Sequence, residues 1–456
     1  MLKTQRVAES PAVEPRSGSW RPVAAAMFVC GWGGNQFTPL LLMYRRLGGY
    51  SAISVDAFLG AYVIGLIPGL LLAGPVSDRR GRRPVLVFGT VASALASLVL
   101  SFGADGAWAI YAGRLLTGVA VGIAMSVGSS WVKELSTGAD TGLAARRAAL
   151  CQTAGFALGA GVAGALAQWG PWPMVTPYVV HILITAAVPA LLLRVPETRT
   201  PASSAAAGSD RGLLRSLADD LRVPQAARRR FRLVVVPLAP WVFGAAGLAY
   251  AVMPQLVASH VGHWELAFAT ALTVLTLGTG AAVQPVAKRL HQAAGRSNGR
   301  GNARASVVAM TVMLVGAVLC ALNAALGSPW LAAVAAIVLG AAYGIAVVSG
   351  LLEIQRMAGE ADLAGLTGVY YALAYSGFLL PALLATLSDW LSYPVMLGGV
   401  AVVALACLTL VLRGARTTTP AVPTADERPS EERASDERAS DGRTADGPAP
   451  AEASRG

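Results

Sequence analysis

Long apolar runs broken by short polar clusters fill residues 20–412. A helix needs about 20 mostly apolar residues to cross the hydrocarbon core of a bilayer. Stretches of roughly that length, almost free of Lys, Arg, Asp and Glu, occur at 23–43, 57–77, 84–102, 107–131, 148–167, 174–193, 233–253, 266–286, 305–325, 331–351, 366–387 and 392–412. Only the fourth holds a charge, Arg114. Lipid offers no water to backbone polar groups, so a crossing segment is a helix or part of a closed barrel. Barrel strands are shorter and alternate apolar with polar residues. These runs do not alternate, which predicts an all-α membrane protein with twelve transmembrane helices. The longest interruption splits them into two six-helix bundles, 23–193 and 233–412. A cytoplasmic segment (1–22), a cytoplasmic linker (194–232) and a cytoplasmic tail (413–456) complete the expected layout.

Composition agrees with the pattern. Apolar residues make up 55% of the 456 and charged residues 13%, where a soluble domain carries about 25% charged residues. Mean hydropathy is +0.56. These values exclude a soluble enzyme, a disordered protein and a disulfide-rich secreted domain. The positive-inside rule sets the orientation. With the N-terminus inside, 33 of the 36 Lys and Arg fall in inner segments, while the outer loops hold only Arg45 and Arg46. Both termini are therefore expected in the cytoplasm, in a plasma-membrane protein. Trp108, Trp169, Trp172, Trp264, Trp330 and Trp390 fall at the outer loops, where an indole has both apolar and hydrogen-bonding surroundings. The net charge of +11 reads as inner loops facing anionic lipid, with no nucleic-acid site. Cys30, Cys151, Cys320 and Cys407 all lie in spans without metal-ligand spacing. In the linker, 200–209 reads as flexible, Leu213 to Leu221 as a surface helix, and Arg228 to Arg232 as a lipid anchor. After Val422 the tail repeats acidic and small residues every five positions, a composition that predicts disorder.

The loop between the second and third spans reads Gly74-Pro-Val-Ser-Asp78-Arg79-Arg80-Gly81-Arg82-Arg83-Pro84. It resembles the G-x-x-x-D-R-x-G-R-[RK] signature of the major facilitator superfamily, and the chain is similar to the bacterial drug and metabolite efflux members. The resemblance implies a conformational latch of Gly74, Asp78, Arg79, Gly81, Arg82 and Arg83. Asp78 would face the N-terminal dipole of the eleventh span, and Glu134 would be the acidic partner of the arginines. Arg114-Leu-Leu-Thr-Gly118 in the fourth span is similar to the family's R-x-x-x-G motif. An intramembrane charge is costly and usually serves a wet cavity or a partner. Gly155, Gly159, Gly161 and Gly164 in the fifth span resemble the glycine-rich stretch of drug–proton antiporters, but Gly159-Ala160 stands where a Gly-Pro pair is usual. Close helix packing explains those glycines equally well. Pro196-Glu197-Thr198 reads as a helix stop.

In that family spans 1, 4, 7 and 10 line the path, aided by 2, 5, 8 and 11. By that rule the cavity candidates are Asn35, Gln36, Arg114, Gln152, Trp241, Gln284, Tyr343 and Tyr375, with His181 in the sixth span added. No Asp or Glu lies inside a predicted span, which leaves Asp56 at the outer mouth of the second and His181 as proton-coupling candidates. His260, His263 and Glu265 have a spacing too common to specify a metal, and no motif calls for a metal or cofactor. The function expected is secondary active transport of a small solute by alternating access, as efflux, with proton coupling open. A nutrient uptake permease or facilitator is the alternative within the class. A non-transporting membrane receptor is the alternative outside it, and the latch motif argues against that. No intramembrane catalytic group points to an enzyme. The partners implied are a small solute, the lipid bilayer and protons, for a monomer.

Overall fold

A computed structural model describes residues 18–136, 141–199, 225–295, 303–357 and 363–416. The expected amphipathic helix at Leu213–Leu221, most of the tail and the first seventeen residues lie outside that set. Described residues form helices and turns, with no strand among them. The chain runs through α1 (Trp20–Asn35), α2 (Leu41–Arg46), α3 (Ala52–Arg80), α4 (Arg82–Leu100), α5 (Ala107–Ile123) and α6 (Ser129–Glu134). It continues through α7 (Thr141–Trp169), α8 (Thr176–Thr185) and α9 (Val188–Leu192). After the linker come α10 (Pro240–Gly247), α11 (Met253–Val261), α12 (Glu265–Gly295), α13 (Arg304–Leu326) and α14 (Pro329–Met357). The last three are α15 (Leu363–Ser376), α16 (Leu379–Leu387) and α17 (Tyr393–Ala415).

Nine helical stretches among the described residues are long and apolar enough to cross a membrane. Proline accounts for much of the difference from the twelve uninterrupted runs in the sequence. Pro39 has no N–H for a helical bond, and α1 gives way at Asn35 to a tight turn over Thr38–Leu40 before α2 begins. Ala186 and Ala187 form a turn ahead of Pro189 inside the apolar stretch Thr176–Leu192, which is shorter than those nine. Wide turns over Phe231–Val235 and Leu248–Val252 precede Pro237 and Pro254. One stretch, Arg228–Leu290, has 63 residues. A straight helix of that length would be about 95 Å long, some three times the bilayer core. The chain instead breaks at Gly262, whose φ of +55° suits glycine.

Three apolar cores organise these helices. One is drawn wholly from residues 227–411, around Met253, Met310, Leu339 and Tyr370. A second comes wholly from residues 23–195, around Met27, Leu86 and Trp131. The third is rich in aromatic residues and mixes the two parts, joining Phe37, Phe58 and Tyr62 to Tyr250, Tyr375 and Phe378. Each part thus has its own interior, and an aromatic seam lies between them.

Within each part, glycines let two helices touch backbone to backbone. A Cβ on Gly65 or Gly69 of α3 would strike the carbonyls of Leu115 or Val119, and one on Gly118 of α5 would strike the Tyr62 carbonyl. Without a strong hydrophobic force between helices in lipid, such close contact is a main source of attraction. The same device recurs later: Cβ atoms on Gly340 and Gly344 of α14 would strike the carbonyls of Thr276 and Gly280 on α12. Gly278 on α12 has open space instead. Gly118→Ala is therefore expected to destabilise the protein by about 1–3 kcal/mol through overpacking. Gly278→Ala is expected to be neutral or slightly stabilising, because Ala favours the helix. Thermal unfolding followed by tryptophan fluorescence checks both.

Candidate functional site

The motif turn is built around Gly81. It joins α3 to α4 at φ +95°, a backbone region that favours glycine. A Cβ there would lie 2.7 Å from Glu197 Oε2. That space matters because Glu197 caps the start of α4. Its Oε1 accepts from Arg82 N at 2.8 Å, and its Oε2 from Arg83 N at 2.9 Å. The first N–H groups of a helix lack internal partners and carry partial positive charge, so a carboxylate there is stabilising. Glu197 therefore does more than the helix stop read from Pro196-Glu197-Thr198. Arg83 also donates to the Val195 carbonyl at 2.7 Å.

Arg82 is 5% exposed and gathers the neighbouring groups. Its Nη2 lies 2.9 Å from both Asp78 Oδ1 and Glu134 Oε1, and its Nη1 donates to Ser77 Oγ at 2.5 Å. Glu134 also accepts from Thr198 Oγ1 at 2.5 Å, and Arg199 lies within 3.8 Å of both acids. Of the motif arginines, Glu134 thus pairs with Arg82. Arg79 is exposed, and Gly74 lies beside Ser126. The described partners of Asp78 are Arg82 and Arg199, both before residue 200. The expected partner, the N-terminus of the eleventh span, is described from Leu363, and the ion pairs given for Asp78 do not involve it.

A second constellation sits between the two parts. A cavity of about 30 Å³ is walled by Asn35, Tyr62, Arg114 and Phe156 on one side and by Phe243, Tyr250, Tyr343, Tyr375 and Phe378 on the other. Arg114 is 1% exposed. Its Nε donates to the Phe58 carbonyl at 3.3 Å and its Nη1 to the Gly34 carbonyl at 3.2 Å. The rings of Phe37 and Tyr62 lie 4.6 and 4.4 Å from its guanidinium carbon. Asn35 donates to the Phe156 carbonyl and accepts from Thr38, so its amide is occupied.

Of the sequence candidates, the structure brings Asn35, Arg114, Tyr343 and Tyr375 to this cavity. Gln36 points away and donates to Ser97 at 2.8 Å. His181 is enclosed in the N-terminal part, its ring nitrogens beside Ser97 Oγ and the Val29 carbonyl. Gln152 and Trp241 are buried against their own parts, and Gln284 is half-exposed on α12; none lines the cavity. Tyr62, Phe156, Phe243, Tyr250 and Phe378 were not singled out from the sequence. Aromatic residues in apolar spans read as core, although the 243–250 interval, two helical turns, was a usable signal.

The end opposite the motif turn is closed by contacts between the parts. Arg46 pairs with Glu265. Arg45 donates to Gln255 at 2.8 Å, and Gln255 donates to Asp56 at 3.4 Å. Gln168 donates to the His263 carbonyl and accepts from the Ala267 N–H, both at 3.0 Å. Trp169 and Trp264 meet edge to face. Asp56 is 2% exposed within this seam. Glu265 is engaged by Arg46, away from the metal role considered with His260 and His263.

The described residues thus form apolar helices in two parts, with a cavity on their seam and polar contacts across it at one end. Residues 23–380 match the Major Facilitator Superfamily, and the chain belongs to that family. It is similar to the gallate transporter of Pseudomonas putida, 34% identical over 124 residues that cover 26% of each chain. It is also similar to solute carrier family 2, facilitated glucose transporter member 8, of Mus musculus, 34% identical over 125 residues covering 27% of this chain and 25% of that one. The chain thus spans about a quarter of the length of these relatives. Its fold resembles a POT family transporter in complex with 5-aminolevulinic acid, with TM-score 0.68 and 14% identity over 87% of this chain and 96% of that one. A D-xylose-proton symporter gives TM-score 0.64 and 14% identity over 88% and 97%. At such identity the likeness is one of fold.

The cap and the ion-pair cluster make separable contributions. Glu197→Ala is expected to lower stability by about 1–2 kcal/mol through the lost cap. Glu134→Ala is expected to cost about 1.5–3 kcal/mol, because Arg82 loses a charged hydrogen-bond partner while keeping Asp78 and Ser77. Arg199→Ala, at an exposed position, should cost at most about 1 kcal/mol. Thermal unfolding in detergent ranks the three.

Proposed function

We propose that the protein is a secondary active transporter of the plasma membrane, moving a small metabolite by alternating access. On this reading twelve segments cross the membrane, in bundles 23–193 and 233–412, with both termini in the cytoplasm. The observation that carries it is the cavity on the seam between the parts, closed at one end by Arg46–Glu265, the Gln255 bridge and the Gln168 contacts. That end also carries the exposed indoles of Trp169, Trp172, Trp264 and Trp330, which support placing it outside. The opposite end carries Arg79 to Arg83. Its described ion pairs join groups of the same part: Arg82 with Glu134, and Arg230 with Glu353. The state is one in which the outer side is shut. The motif cluster acts as a latch when the parts rock the other way.

Uptake and efflux fit this architecture equally. The glycines of the fifth span, which resemble those of drug–proton antiporters, do not decide for efflux. Gly155 and Gly159 there abut the α1 backbone at Phe28 and Trp32, a packing role that explains them without antiport. The relatives named as a gallate transporter and a facilitated glucose transporter support a small metabolite as the solute. Our candidate for proton coupling is Asp56, supported by the hydrogen bond it accepts from Gln255 of the other part. His181 is held wholly within its own part.

Flux in proteoliposomes tests the reading. Solute uptake driven by an inward proton gradient, abolished by Asp56→Asn, is the expected result; uptake indifferent to both would overturn the coupling. Arg46→Gln is expected to weaken the outer seal. A cysteine introduced as Leu59→Cys in the cavity wall should then react several-fold faster with a membrane-impermeant thiol reagent added outside. No acceleration would mean that the seal lies elsewhere.

A further inference from the structure

The cavity has an unusual charge balance. Arg114 is almost wholly buried, yet the hydrogen bonds it donates go to the neutral carbonyls of Phe58 and Gly34. No carboxylate among the described residues lies within ion-pair distance of it, unlike Arg46, Arg82, Arg199 and Arg230. A buried charge with no counter-ion is costly. Two aromatic faces and two carbonyl dipoles offset part of that cost, and an anion entering the cavity would offset the rest. One guanidinium matches one negative charge. A dianion would bring a second charge with nothing to meet it.

The facing wall supplies the rest of the site. Tyr250 and Tyr343 line the cavity, and neither hydroxyl has a hydrogen-bond partner among the described residues. Beside them Phe243 stacks on Tyr375 with centroids 4.0 Å apart and planes 18° apart, and Phe378 lies 4.7 Å from Phe243. These flat apolar faces suit a ring. A polyol would need several free amides or carboxylates; here the one amide, Asn35, is already engaged.

We propose that this cavity, about 30 Å³ in the form described and widened as the two parts separate, binds a small aromatic monocarboxylate, its carboxylate held by Arg114 with the Tyr250 and Tyr343 hydroxyls and its ring against Phe243, Tyr375 and Phe378. The inference rests on the transporter reading for its purpose but not for its chemistry. A carboxylate accepts two guanidinium N–H bonds in a planar fork, which lysine cannot copy. Arg114 reaches the cavity from the N-terminal part, and the tyrosines from the C-terminal part. The solute would thus draw the two parts together.

Binding and flux are measured separately on the full-length protein in lipid nanodiscs and in proteoliposomes. The probes are benzoate, 4-hydroxybenzoate, the neutral isostere benzamide, phthalate as a dianion, and xylose. Benzoate and 4-hydroxybenzoate are expected to raise the melting temperature and to drive counterflow. Benzamide and phthalate should bind about 10- to 100-fold more weakly, the range expected for losing a charged hydrogen bond or adding an unmatched charge. Arg114→Lys should weaken benzoate binding at least tenfold with little effect on benzamide. Tyr250→Phe with Tyr343→Phe, which keep the rings, should weaken benzoate several-fold. Equal binding of benzoate and benzamide by the unaltered protein would overturn the proposal, whatever the variants do. So would counterflow of xylose but not of any carboxylate, a result that leaves the transporter reading standing. Benzoate binding sensitive to Arg114→Lys, with no flux of any probe, would uphold the site and overturn the transporter reading.

Discussion

The close backbone contact of α3 with α5 is the constraint from which the site follows. In lipid, helices gain little by burying apolar side chains against one another, so close packing and polar contacts must hold them. Gly65, Gly69 and Gly118 provide the closeness. Arg114, Gly118 and Gly122 lie four residues apart on a single stripe of α5. The stripe that presses on α3 therefore also carries the cation toward it. At Arg114 the contact is made by a side chain reaching the Phe58 and Gly34 carbonyls. The motif R-x-x-x-G thus has one physical meaning in two parts: the glycine sets the distance, and the arginine uses it.

A second glycine has a different task. Gly81 is required by its backbone conformation and by the carboxylate that approaches it. Glu197 arrives from beyond the sixth span and satisfies the first N–H groups of α4. This ties the turn between α3 and α4 to the chain just past α9. With Arg82 drawing in Asp78 and Glu134, the basic end of the N-terminal part is one hydrogen-bonded unit. The opposite end is organised differently, since its polar contacts cross the seam.

The two parts repeat this logic. Glycines join α12 to α14 as they join α3 to α5. Glu353, near the end of α14, takes Arg230 in a two-point pair, with bonds of 2.7 and 3.0 Å, much as Glu134 takes Arg82. Such repetition suits a machine of two bodies turning about a shared seam. The repetition was faint in the sequence because residue identities differ and the arginine partners come from unrelated positions. What persists is where the backbones touch.

The helical, membrane-bound nature of the chain was legible in its order of residues, because a bilayer tests every segment separately for apolar length. The clustering of positive charge, the motif turn and the lone buried Arg114 were legible for the same reason: each is a local property. Helix breaks at Pro39 and Pro189 are local too, but the long apolar runs concealed them. Other features needed the folded chain. Asn35, Arg114, Tyr343 and Tyr375 meet at one cavity while Gln36, Gln152 and His181 turn inward, because a side chain's direction around a helix depends on which neighbours the helix packs against. The seam partners Arg46 and Glu265 stand more than two hundred positions apart, and Glu197 lies far along the chain from Gly81. Pairings at such separations leave no mark on either stretch of sequence, since neither residue's surroundings exist until both parts are assembled.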